Sequence, residues 1–113
     1  MFEHHGEEGN GILSCVEFKD IKFQPKRMYF IHGVPEGEVR GKHGHREDQQ
    51  YLTCVQGQIR VKLTTKDSVE ETVLNAGDSV FVDTMTWGEQ EYMTGNDILL
   101  VVCSTNFDKS EYI

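Results

Sequence analysis

The chain of 113 residues is long enough for one hydrophobic core and too short for two. Hydrophobic residues make up 37% and charged residues 27%, the balance of an ordinary globular domain rather than a disordered or membrane-embedded chain. A net charge of -8 excludes a general polyanion binder, so no nucleic-acid partner is expected, but a few converging arginines would still hold a small anion.

In chain order, residues 1–10 are polar and acidic and read as a flexible lead-in, with a single domain over 11–113. The lead-in lacks the apolar segment of a signal peptide, and its pair His4–His5 reads as incidental. Gly11 to Phe18 has the β-branched and aromatic content of a first strand, and residues 21–25 turn the chain at Pro25. Lys26 to Val34 is the next strand, with Arg27, Tyr29 and Ile31 on one face and Met28, Phe30 and His32 on the other. Val34-Pro35-Glu36-Gly37 is a turn, because proline pre-sets φ and glycine accepts positive φ. A histidine segment follows, then a strand from Tyr51 to Val55 and a turn at Gln56-Gly57.

From Gln58 the alternation is clean, with Ile59, Val61 and Leu63 inward and Arg60, Lys62 and Thr64 outward. Residues 65–69 form a hairpin loop and Glu70 to Leu74 the returning strand. A turn at 75–78 leads into Ser79 to Val82, residues 83–88 break the pattern, and Glu89 to Met93 resumes it. A turn at 94–97 precedes a buried strand, Ile98 to Cys103. That run of six is the longest apolar stretch, well short of the roughly 20 residues that span a bilayer, so no membrane partner is expected. The tail, Phe107 to Ile113, reads as one helical turn or an edge strand.

No segment keeps a helical period. Short strands with turn signals every eight to twelve residues indicate an all-β sandwich or barrel. The three cysteines, Cys15, Cys54 and Cys103, are an odd number in apolar segments, which indicates reduced thiols and a cytoplasmic setting. None has the basic neighbour or helix terminus that would make it a nucleophile.

The stretch that carries chemistry is Gly37 to Gly57. His43 and His45 are two residues apart, so on an extended strand both imidazoles project into one space. Imidazole is the side chain that exchanges a proton near neutral pH without special tuning.

The spacing Gly37-x5-His43-x-His45-x4-Gln50-x6-Gly57 resembles the first motif of the cupin superfamily, with Gln50 where metal-binding cupins carry Glu. A second cupin motif would begin at Gly77 and reach a histidine near position 88, which is Gly88 here. The resemblance implies a small cupin-type antiparallel β-barrel, or jelly roll, with an incomplete metal site. A narrower likeness covers about residues 11–113. Its pieces are GILSCVEF, KRMYF, RGKHGHREDQQ, the tryptophan of MTW and the ending FDKSEYI. In these the chain is similar to the dTDP-4-keto-6-deoxyglucose 3,4-ketoisomerases, which include the WxcM-like domains. It departs from them at Gly88, commonly His, and at Phe107, usually Tyr.

That resemblance implies an isomerase of deoxysugar biosynthesis that moves a carbonyl from C4 to C3 of a dTDP-linked hexose through an enediol. It implies no cofactor, no metal and a homodimer. The roles carried over are proton transfer for His43 and His45, with His45 the base at C3 and His43 the shuttle or orienter. Arg40 would stabilise the enediolate or bind diphosphate. Arg27 and Tyr29 would contact diphosphate or sugar, Gln50 a sugar hydroxyl, and Trp87 would wall the sugar or thymine ring. Two other functions stay open at this point: a metal-dependent cupin enlisting Asp83 or Glu89, and a non-catalytic nucleotide-sugar-binding cupin. A nucleotide-sugar 3,5-epimerase ranks below them.

Overall fold

The computed structural model describes residues 2–7 and 9–113. Ten strands follow in order: β1 Glu3–Glu7, β2 Gly11–Cys15, β3 Arg27–Ile31, β4 Val39–His43, β5 Gln50–Gln56, β6 Gln58–Thr64, β7 Val69–Asn75, β8 Ser79–Val82, β9 Trp87–Tyr92 and β10 Ile98–Cys103. They make two four-stranded antiparallel sheets, ordered β3-β10-β5-β8 and β4-β9-β6-β7, and a separate hairpin β1-β2. This is the jelly roll of the cupin fold, built as two facing sheets rather than as a ring closed by hydrogen bonds. Among the described residues, helix is limited to two single turns, Phe18–Asp20 and Lys109–Glu111, and no helix is long and apolar enough to cross a membrane.

The alternation read in β6 holds. Ile59 and Val61 are buried, with Leu63 packed beside them. They meet Leu52 and Cys54 of β5, Leu99 and Val101 of β10, Leu74 of β7 and Tyr92 of β9, so the inner faces of both sheets share one core. Each such aliphatic side chain contributes roughly 1.5–3 kcal/mol by leaving water. β5 and β10 are buried on both faces, because Ile21, Val16 and Phe23 of the chain before β3 cover Tyr51 and Val102 on the outer side. Both cores are apolar, and the polar site lies where they end.

Three expectations need adjusting. Residues 3–7, read as part of a flexible lead-in, pair with β2 in full register from Glu3↔Cys15 to Glu7↔Gly11. The break expected over 83–88 ends sooner, since Trp87 and Gly88 already belong to β9. The tail does both things expected of it as alternatives, forming a helical turn at Lys109–Glu111 and then a bridge between Tyr112 and His45.

The tight β5–β6 connection depends on Gly57, which has φ of +83°. A Cβ there would overlap the carboxylate of Asp97. That carboxylate accepts from the N–H groups of Gln58 at 2.8 Å, Thr94 at 3.0 Å and Gly95 at 3.2 Å, and from the Thr94 hydroxyl at 2.6 Å. It ties the turn before β10 to the turn after β5.

Candidate active site

A cavity of about 310 Å³ opens between the two sheets. β3 supplies Arg27 and Tyr29, β4 supplies Arg40 and His43, and β5 supplies Gln50. His45 enters from the segment after β4, and Phe107 and Tyr112 from the tail. Among the described residues, two arginines, two histidines and two tyrosines line it, and no Asp or Glu does. On a chain of net charge -8, this is a local positive pocket, suited to an anionic ligand or to negative charge that develops on one.

Strand alternation explains β3. Arg27, Tyr29 and Ile31 face the cavity while Met28 and Phe30 face out, as their spacing implies. The Arg27 guanidinium lies 4.8 Å from the Tyr29 ring centre and 5.4 Å from that of Phe107. Its buried Nε has no partner among the described residues, leaving a donor for a ligand. Burial pushes the Tyr29 phenol well up, so it is a neutral O–H donor across the physiological range.

The two histidines converge by a less regular route than a straight strand. The β4–β9 register slips between Gly41 and His43, and Lys42, inside the slip, has φ of +58°. This bulge re-aims the end of β4. His45 lies beyond it, held by the bridge to Tyr112. The two imidazoles meet edge to face, ring centres 4.9 Å apart. Tyr112 stacks on His43 at 4.4 Å with 7° between the planes. Burial and the neighbouring His45 lower the pKa of His43, so it is neutral near pH 7, and its buried Nδ1 has no partner among the described residues.

Behind His45 stands a residue that sequence reasoning missed. Glu111 Oε2 accepts from His45 Nδ1 at 2.8 Å, and Oε1 accepts the backbone N–H groups of Glu47 and, at 2.9 Å, Asp48. Burial on its own would raise the Glu111 carboxyl, but those bonds and the imidazole outweigh it and hold it below the usual carboxylate range. Gln50 donates to Asp48 Oδ2 at 2.9 Å, and its amide nitrogen lies 3.5 Å from His45 Nε2. Asp48 in turn accepts from the backbone of Ser104 and Thr105, anchoring the end of β10.

Six of the seven residues singled out from sequence, Arg27, Tyr29, Arg40, His43, His45 and Gln50, line this cavity. Trp87 does not. On β9 the inward positions are Gly88 and Gln90, so its indole points to the other side, 39% exposed. Gly88 sits on the wall, where an added Cβ would make ordinary van der Waals contact with the Gln90 amide at 3.6 Å and Leu63 at 3.8 Å, without a clash. The donor set does not make a metal cage. His45 Nδ1 is engaged by Glu111, position 50 is an amide, position 88 has no side chain, and neither Asp83 nor Glu89 lines the cavity. Among the described residues the one grouping of three ligand-type side chains is Glu3, His5 and Cys15, on the exposed hairpin. Burial lifts the Cys54 and Cys103 thiols to about 11, so neither is a nucleophile.

A cupin fold with an imidazole pair in an arginine-lined pocket defines a small cupin suited to acid/base chemistry on an anionic ligand. More particularly, the family model described as "FdtA: WxcM-like, C-terminal" matches residues 1–113, and the chain belongs to that family. TDP-4-oxo-6-deoxy-alpha-D-glucose-3,4-oxoisomerase of Aneurinibacillus thermoaerophilus is 29% identical over 103 residues, 90% of this chain and 74% of the relative. The sugar 3,4-ketoisomerase QdtA of Thermoanaerobacterium thermosaccharolyticum, solved with TDP, superposes with a TM-score of 0.90 at 29% identity, covering 99% of this chain and 82% of that one. A histidine-to-asparagine variant of QdtA was solved with TDP-4-keto-6-deoxyglucose. At the level of fold alone, dTDP-4-dehydrorhamnose 3,5-epimerase of Bacillus anthracis matches 98% of this chain and 73% of its own, with a TM-score of 0.85 at 12% identity.

Proposed function

We propose that the protein is a dTDP-sugar 3,4-ketoisomerase that converts dTDP-4-keto-6-deoxyglucose to its 3-keto isomer by histidine acid/base catalysis, without metal or redox cofactor. The observation that carries this reading is the imidazole pair, rings 4.9 Å apart, in a cavity lined by two arginines and no carboxylate. The cavity has room for a hexose ring, while the nucleotide extends from its mouth.

His45 Nε2 takes the proton on C3, and the C–H electron pair becomes the C3=C4 double bond as negative charge moves onto O4. The proton of the C3 hydroxyl passes to O4. The imidazole pair then returns a proton to C4 as the C3 carbonyl forms, so the product has the atoms and oxidation level of the substrate. A neutral His43 suits the shuttle role, because it can accept at one nitrogen and donate from the other. Arg40 stabilises the enediolate charge, Arg27 and Tyr29 bind diphosphate or sugar, and Gln50 holds a sugar hydroxyl.

A homodimer fits the surface. Ile12 and Leu13 of β2 and Met28 and Phe30 of β3, an edge strand, are each more than 60% exposed. Three free thiols fit a cytoplasmic setting.

The test is proton NMR of dTDP-4-keto-6-deoxyglucose in heavy water with metal-stripped protein. Deuterium entering the ring with formation of the 3-keto product is expected, and His45→Asn should slow both by about a thousandfold. Activity that appears only after adding iron, manganese or zinc would replace this reading with a metal-dependent cupin. Binding without exchange would leave a nucleotide-sugar-binding module.

A further inference from the structure

Glu111 contributes nothing to the cavity wall, yet it holds the ring that the proposed reaction uses. It closes the helical turn Lys109–Glu111, whose first residue is capped by Asp108 accepting the Ser110 N–H at 3.0 Å. The segment is stitched along the histidine loop. Gly44 and Ile113 exchange backbone bonds at 3.1 and 3.0 Å, the Arg46 N–H donates to the Glu111 carbonyl at 3.1 Å, and His45 bridges Tyr112. Side chains from this one strap touch both imidazoles, Tyr112 stacking on His43 and Glu111 bonding His45.

The hydrogen-bond inventory then fixes a tautomer. The His45 and Glu111 side chains are only 8% and 11% exposed, and the carboxyl is held below its usual range, so it is ionised at neutral pH. An ionised carboxylate can only accept. His45 Nδ1 therefore carries a proton, and in the neutral ring it is Nε2 that presents the lone pair. The other groups that face His45 are His43 from β4, Gln50 from β5 and Tyr112 from the strap, with Asp48 behind Gln50. Among the described residues, Glu111 alone bonds the ring with a charged group.

We infer that Glu111 is a positioning residue for the isomerisation: the strap Asp108–Ile113 uses its carboxylate to fix the tautomer and aim of His45 and to steady the imidazolium formed when the C3 proton arrives. This rests on the reading of His45 as the base. A purely structural role would be served equally by any side chain that accepts the Glu47 and Asp48 N–H groups, and that difference is measurable.

Glutamine keeps the size and one acceptor oxygen but loses the charge. In Glu111→Gln we expect kcat to fall about tenfold to a hundredfold, with KM and the Kd for TDP within about twofold of wild type. Ring-nitrogen NMR of histidine-labelled protein should show His45 as the Nδ1-protonated form in wild type and as mixed tautomers in the variant. Glu111→Asp should keep the Nδ1-protonated form and an intermediate kcat. A Glu111→Gln kcat within about twofold of wild type overturns the inference. So does a fall in kcat matched by equal losses of TDP affinity and melting temperature, which marks simple destabilisation. If the wild-type protein does not isomerise the sugar, the proposed reaction falls, and the tautomer measurement still decides whether Glu111 positions His45.

Discussion

The two ends of β10 use the same physical device for different purposes. Before the strand, Asp97 is buried and collects three backbone N–H groups and a hydroxyl, all from the turns it joins. Beyond the strand, in the tail, Glu111 collects two backbone N–H groups and an imidazole. For both, burial alone would raise the carboxyl, and hydrogen bonds outweigh it and hold it below its usual range. What differs is the last partner. A threonine hydroxyl makes a strong turn, whereas an imidazole beside a cavity is given a fixed proton on Nδ1, the arrangement the proposed reaction would use. A low carboxyl pKa by itself separates neither case from the other; the partner and the nearby cavity do.

Substitutions should pull the two ends apart. Asp97→Ala leaves several buried donors unpaired and should cost about 2–4 kcal/mol, lowering the melting temperature by roughly 10 °C or more, with kcat per folded molecule unchanged. A change in kcat without destabilisation would break the contrast. Acid should expose what the ends share. A depressed carboxyl contributes its full stability above the unfolded pKa of about 4, and loses it as the pH falls through the lower folded value. Wild-type stability, measured by urea unfolding between about pH 6 and 2, should therefore drop at the acid end. Asp97→Asn and Glu111→Gln should each flatten that drop, the first more because Asp97 collects four donors and Glu111 three.

Near the site the expected effects are smaller. Gly88→His adds a ring to the cavity wall without a Cβ clash and should raise KM about tenfold while leaving the melting temperature close to wild type. The neighbouring Trp87→Phe, on the other face of β9, should leave kcat/KM within about twofold. A large loss there would mean that the indole reaches the ligand from a direction the present cavity does not use.

Much of this was legible in the sequence, for reasons that can be named. Period-two alternation placed Ile59, Val61 and Leu63 and aimed Arg27 and Tyr29 correctly, because a pleated strand permits no other arrangement. The spacing of His43, His45 and Gln50 carried the family likeness. The histidines meet through a bulge and a bridge, which no periodicity reports. Trp87, carried over from the family likeness, lies off this cavity, because β9 begins at Trp87 and parity puts Gly88 inside and the indole outside. The β1–β2 hairpin was hidden by its exposed, polar composition. Glu111 was illegible for a different reason. Nothing in FDKSEYI marks one acidic residue over the other, and its meaning comes from a partner remote in the chain. The one sequence clue was the likeness of that ending to the family's.

The bond between His45 and Glu111 joins residues 66 positions apart. Such a loop closes only after the intervening strands have found their partners, and β-rich topologies with distant contacts fold in milliseconds to seconds rather than microseconds. During refolding, then, turnover should return with the slowest kinetic phase, later than fluorescence or circular dichroism report a compact barrel. The pair acts as a clock for completion: a molecule that has collapsed but has not docked its tail would hold the cavity in outline and lack the carboxylate that orients the His45 ring.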